Sequence, residues 1–237
     1  MARLRTPQGA LRAILLSQMV LGAALVALDL YGASGGEASP ALFAPPAEGP
    51  SVRPYRPDLR PGTPGTPAMR PMPDRLVFEE DEGGTIRITG QIAPGDADRF
   101  AAWLDQTRPG GTQVALDSSG GSVSDALAIG RTIRAAGYDT DVPQGAVCMS
   151  ACPYVLAGGV ARSAEGVVGV HQHYYGENTL LPTFMAVKDV QRGQAAVMDY
   201  LTEMGVDLRI MSYALRTPPE EINVLDADLM QDLALTT

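Results

Sequence analysis

Apolar and polar residues alternate cleanly along Thr85-Ile86-Arg87-Ile88-Thr89-Gly90-Gln91-Ile92, the period-two pattern of a half-buried strand, and Leu76-Val77-Phe78 before it has the composition of a second. The pattern then changes period. After Pro94-Gly95-Asp96, Phe100, Ala101, Trp103 and Leu104 fall at helical spacing, and Pro109-Gly110-Gly111 closes the helix. Gln113 to Leu116 is a short strand running into a Ser118-Ser119-Gly120-Gly121 turn. Ser122 to Ala136 is helical, with Val123, Leu127, Ile129 and Ile133 mostly on one side and Gly137 as its stop. Asp139 to Val147 returns as strand or extended chain, Ser150 to Leu156 as a helix, and Val167 to His171 as a strand. Thr183 to Met204 predicts a long helix and Leu208 to Leu215 a shorter one. Strands alternating with helices of this length predict an α/β domain of repeated βαβ units.

Two earlier segments follow different rules. Ala13 to Leu28 is apolar apart from Ser17, Gln18 and Gly22, with Arg3, Arg5 and Arg12 ahead of it and Asp29 behind. A positive flank before an apolar run predicts an N-terminus kept in the cytoplasm and a remainder that is exported. Its length lies between that of a signal-peptide core and a full membrane span. Tyr31 stands where cleavage after Ala33 prefers a small residue, which favours an uncleaved anchor. From Ser34 to Arg75 the chain carries eleven prolines, a density that predicts an extended spacer without helix or sheet. The expected organisation is an anchor over 1–33, a disordered linker over 34–75 and a folded domain over 76–237.

Charge narrows the partners. Of 237 residues with a formal charge of −9, the stretch from Leu76 onward holds ten basic and 22 acidic residues, a net −12, which repels phosphate backbones and excludes nucleic acid as a partner.

The candidate chemistry lies in three places. Ser150 sits in Gly145-Ala146-Val147-Cys148-Met149-Ser150-Ala151-Cys152 and offers a nucleophile. His171, in Gly169-Val170-His171-Gln172, offers a base, and Gly120-Gly121 offers backbone N–H groups for an oxyanion. In a βαβ fold all three fall at strand ends on one edge and can meet. Cys148 and Cys152 bracket Ser150. In an oxidising compartment they can form a disulfide if the backbone turns sharply between them; two buried apolar side chains are the equal alternative. His173 with His171 and Glu177 suggests a metal only if further ligands exist, and none is identifiable, so no metal is expected. Tyr174, Tyr175 and the loop to Pro182 suit a substrate groove, a subunit contact or plain packing.

The order of these elements resembles the Clp protease proteolytic subunit and signal peptide peptidase A superfamily: a strand, Ser-x-Gly-Gly-Ser-Val, an amphipathic helix, a serine opening a helix that ends in Ala-Gly-Gly, Arg162, then Val-His-Gln. The Cys-x-Ser-Ala-Cys setting and the anchor look most like the periplasmic Clp-like predicted serine proteases of bacteria. The resemblance covers about Thr85 to Leu235. It implies a crotonase-like α/β spiral, serine peptidase activity on peptides or unfolded protein with no cofactor, a homo-oligomer, and a catalytic domain in the periplasm tethered to the inner membrane. ATP-driven unfolding is not expected in that compartment. Carried over by position, Ser150 is the nucleophile, His171 the base, and Gly120 or Gly121 with Ala151 the oxyanion hole. The family's aspartate has no clean counterpart. Its window holds Glu220, Glu221 and Asn223, any of which can orient the histidine, and the reaction can also run as a dyad. A scaffold that keeps the fold without turnover, and a crotonase-fold acyl-transfer enzyme acting on thioesters, are the alternatives; export argues against the second.

Overall fold

The computed structural model describes residues 7–34, 52–57, 71–173 and 183–237, and the chain divides into two compact units, Met1–Pro45 and Pro46–Thr237. The first contains helix α1 (Pro7–Ser34), which leaves Leu11, Ile14, Leu15, Leu16, Met19, Val20, Leu21 and Val26 exposed. Among the described residues no helix is long and apolar enough to cross a membrane. Several side chains of α1, at 7, 8, 10, 25 and 28–34, lie outside the described ones.

The second unit begins about thirty residues earlier than expected, because the proline-rich stretch is not all spacer. Strand β1 (Val52–Pro54) belongs to it, as do residues 71–75. It continues with β2 (Val77–Glu80), β3 (Ile86–Ile92), α2 (Asp96–Thr107), β4 (Gln113–Gly121), α3 (Val123–Ala136), β5 (Asp139–Val142), β6 (Val147–Met149) and α4 (Cys152–Ala157). Then come β7 (Arg162–Ala164), β8 (Val167–Val170), α5 (Thr183–Met204), α6 (Arg209–Arg216), β9 (Glu221–Leu225) and α7 (Ala227–Asp232). The architecture is α/β with a mixed sheet in the order β1-β9-β8-β6-β4-β3-β2, while β5 and β7 branch from β4. The pairs β1 with β9, β9 with β8, and β2 with β3 are antiparallel; the others are parallel.

The branch at β4 positions the site. Its first half pairs with β5 as far as Ala115 opposite Asp141, and its second half pairs with β6 at Ser118 opposite Cys148. The segment expected as one extended run from Asp139 to Val147 is therefore two strands, separated by a turn in which the Ala146 N–H donates to the Pro143 carbonyl. The Asp117 carboxylate takes the Val147 N–H at 3.1 Å and spans the switch. β4 also runs further than the composition suggests. Gly120 and Gly121 stay in register with Gln91 and Ile92 of β3, and the Ser122 N–H donates to the Ile92 carbonyl, so the glycine pair is the end of a strand rather than a free turn.

Helix signals act as written. Ser122 caps α3 by accepting from the Asp125 N–H, and Gly137 ends it in the left-handed conformation. The main core joins Ile86, Ile88 and Leu116 of the sheet to Phe100, Ile129, Ile133, Leu156, Tyr200 and Leu201 of the helices. A smaller cluster on the other side of β6, β8 and β9 holds Met72, Val147, Met149 and Ile222, with Tyr55 packed against it. Buried Arg162 fastens the C-terminal part, donating to the carbonyls of Ala157, Met204 and Ala234. Arg162 is thus a clamp joining the ends of α4 and α5 to the C-terminal segment.

Candidate active site

The turn after β6 is the organising element. Ser150 has φ 62°, a left-handed conformation that costs a residue with a β-carbon on the order of 1–2 kcal/mol. Three restraints hold it. β6 is paired to β8, the Ser150 N–H donates to the Gly169 carbonyl at 2.9 Å, and a disulfide joins Cys148 to Cys152 with Cα atoms 5.0 Å apart. The sharp turn is what brings the two sulfurs together, since Cys148 lies in β6 and Cys152 opens α4. Ser150 is consequently not the first residue of the helix, as the pattern suggested. Ala151 occupies the N-cap position, and α4 is only six residues long, so Ser150 stands on an elbow just ahead of a short helix.

Gly120 makes that elbow possible. A β-carbon on Gly120 would lie 2.3 Å from the Met149 carbonyl oxygen, 2.6 Å from Ser150 Cβ and 2.8 Å from the Ala151 nitrogen, so only glycine lets β4 approach so closely. Gly120 and Gly121 have φ 88° and 138°, which a side chain would strain in any case. The Gly120 N–H is already engaged with Ser118 Oγ at 3.1 Å. Among the described residues no backbone hydrogen bond of the turn uses the Ala151 N–H, which leaves it as a donor available to an oxyanion beside the glycine pair.

His171 follows directly after β8, and its Nε2 lies 2.7 Å from Ser150 Oγ. The residue is only 5% exposed. Burial pushes the imidazole below its ordinary 6.5, opposed by the Pro219 backbone carbonyl and, more weakly, by the Glu220 carboxylate. Burial thus favours the neutral ring, whose Nε2 can accept the hydroxyl proton. The opposite nitrogen is different: Nδ1 is buried and meets no side-chain partner among the described residues, and the Pro219 backbone carbonyl acts on the ring as its acceptor at a geometry too loose for a full hydrogen bond. Neither Asn223, Glu221 nor Glu220 reaches it. Glu220 and Glu221 are exposed. Asn223 pairs with Val170 in register and, by strand alternation, shares the side of β9 that carries Leu225, whereas Ile222 and Val224 face the smaller cluster.

The second histidine plays a separate part. His173 Nε2 is 2.8 Å from the Tyr154 hydroxyl, and burial lowers its basicity. Among the described residues no group of three His, Cys, Asp or Glu side chains is placed to hold a metal, while Glu177, Tyr174, Tyr175 and the loop to Pro182 lie outside the described residues.

One participant was missed in the sequence. Tyr55, within the supposed spacer, sets its ring 4.6 Å from that of His171 between centroids, and its hydroxyl donates to the Ser119 carbonyl. Burial pushes its phenol up to about 12, partly offset by a hydrogen bond with the Ser150 side chain. The signal available was local: Val52 and Tyr55 are strand-forming residues in a stretch otherwise dominated by proline, glycine and alanine. No protein-family model matches the chain, and no curated protein matches it significantly.

Proposed function

We propose that this chain is a membrane-tethered, exported serine peptidase that hydrolyses peptide bonds through an acyl-enzyme on Ser150, and that it is a divergent relative of the Clp protease and signal peptide peptidase A superfamily with a crotonase-like fold. The observation carrying this reading is the strained Ser150 elbow, 2.7 Å from a buried His171 and pressed against the Gly120-Gly121 strand end. His171 Nε2 takes the hydroxyl proton as Oγ bonds to the peptide carbonyl carbon, and the Gly121 and Ala151 N–H groups receive the oxyanion. The C–N bond then breaks with the proton passing from His171 to the leaving amine. Water, deprotonated by the same nitrogen, releases the acyl group and restores both side chains.

The reaction runs as a dyad. The Pro219 carbonyl and the more distant Glu220 charge are the groups that favour the imidazolium, and no carboxylate side chain bonds Nδ1. The exposed apolar side chains of α1, behind Arg3, Arg5 and Arg12, support an inner-membrane anchor, and the disulfide suits the periplasm. A homo-oligomer and ATP-independent action on accessible peptide segments complete the proposal. Labelling of the full chain by a fluorophosphonate, abolished in Ser150→Ala and His171→Ala, is the expected result; a folded chain that takes no label refutes the reading. The lack of a side-chain partner at Nδ1 favours one second reading, a binding scaffold that has kept the elbow and lost turnover.

A further inference from the structure

A proline-bearing segment needs a specific place in order to pair with a sheet. β1 finds one on the free side of β9: Val52, Arg53 and Pro54 lie opposite Asn223, Ile222 and Glu221, and the Tyr55 N–H donates to the Glu220 carbonyl at 2.7 Å. Antiparallel pairs alternate between bonded and non-bonded, so with Tyr55 bonded to Glu220, Pro54 falls at a non-bonded position where its missing N–H costs nothing. The next residue leaves the strand and places its phenol over His171, against Ser150 and on the Ser119 carbonyl. Its ring also packs on the cluster of Met72, Val147, Met149 and Ile222. What meets the nucleophile is a phenol, which has no carbonyl to attack.

We propose that the outer edge of β9 is the docking edge for an extended peptide substrate, added as an antiparallel strand, and that Val52–Tyr55 is a tethered occupant which the substrate must displace. This deepens the peptidase reading and rests on it. Two backbone carbonyls, Glu220 and Ser119, are satisfied by Tyr55, whose ring lies beside that of His171. An incoming peptide supplies N–H donors to them in its place. The chemistry of the occupant indicates the ligand class: an aromatic residue followed by a basic one, as in Tyr55-Arg56, beside exposed Glu220 and Glu221 on a chain whose net charge from Leu76 onward is −12. A short tether gives the occupant an effective concentration on the order of millimolar, so a weakly binding free peptide displaces it only in part.

The test uses a dye-labelled hexapeptide with the sequence of residues 52–57, Val-Arg-Pro-Tyr-Arg-Pro, and the full chain carrying Ser150→Ala, so that binding is read without turnover. Three forms are compared by fluorescence anisotropy: the unaltered segment, Tyr55→Pro, which deletes the N–H and the ring, and Tyr55→Ala, which deletes the ring alone. Expected is binding at least about tenfold tighter to Tyr55→Pro than to the unaltered segment, with Tyr55→Ala between them, and loss of binding when the peptide's tyrosine amide is N-methylated. Equal binding to all three forms, or binding indifferent to N-methylation, overturns the proposal. If Tyr55→Pro does not fold, as judged by its melting curve, Tyr55→Ala against the unaltered chain decides. In the matching chains that retain Ser150, fluorophosphonate labelling reads the peptidase proposal separately. Label in every form with no gain in peptide binding sinks the docking edge and leaves the peptidase standing; a gain in binding with no label in any form does the reverse.

Discussion

The two nitrogens of His171 face surroundings built to different standards. On the Nε2 side every feature converges: a left-handed serine, a disulfide across it, a glycine strand end with no room for a methyl group, and a 2.7 Å contact to Oγ. On the Nδ1 side there is a buried atom without a side-chain partner, a loosely placed backbone carbonyl that favours its protonation, and a carboxylate acting only through space. The difference teaches that this fold fixes the position of the nucleophile far more tightly than it stabilises the charge the base acquires. Removing the serine proton is prepared for; holding the imidazolium is left to weak groups.

The comparison is broken most decisively at the convergent side. Ser150→Ala or His171→Ala is expected to lower the second-order rate of fluorophosphonate labelling by on the order of a thousandfold or more, measured on chains whose melting curves show them folded. Gly120→Ala comes next. Its methyl group meets the Met149 carbonyl and Ser150 Cβ at distances no real contact shows, so labelling should fall by roughly a hundredfold or more, with a lower melting temperature. Replacing both Cys148 and Cys152 by alanine removes a restraint on a very small loop, for which the chain-entropy estimate is about 2 kcal/mol of stability. Denaturant titration should register that loss, while labelling slows by less than about tenfold because the strand pairing and the Ser150 N–H bond still hold the elbow.

The smallest effects belong to the other nitrogen. Asn223→Ala should change labelling by less than about threefold, since its side chain is directed with Leu225 and makes no bond to Nδ1. Glu220→Gln removes a charge that favours the protonated ring, so it should move the midpoint of the pH profile further down and leave the plateau rate nearly unchanged. A large loss of plateau rate in either variant would mean that a third member of the site exists after all.

The sequence made the convergent side legible and hid the other. Ser150, His171 and the glycine pair stand at strand ends, and strand ends are announced by periodicity and by glycine. The helices α2, α3 and α5 were readable for the same reason, with Ser122 and Gly137 marking their limits in the case of α3. What failed was geometry finer than an element. The helix after Ser150 starts two residues late because the serine is left-handed, and no composition distinguishes an N-cap from an elbow. Counting fifty residues past His171 reached β9, but a count cannot say which face of a strand Asn223 occupies. β9 itself was missed because Glu221-Ile222-Asn223-Val224-Leu225 is short and opens with charge. Tyr55 was lost for a different reason. Proline density averaged over the 34–75 stretch predicts a spacer, whereas an edge strand needs only alternate N–H groups, and Pro54 sits where none is required.

The central claim, that buried neutral His171 deprotonates Ser150, is tested most directly by the pH dependence of the labelling rate of the full chain. Burial favours the neutral ring in the folded state, so the base form is lost only as pH falls through a value below 6.5. The rate should rise through a single midpoint below 6.5, reach a plateau by neutral pH, and lose both features in His171→Ala. A rate that climbs steadily with hydroxide concentration through neutrality, and is the same in His171→Ala, would contradict it.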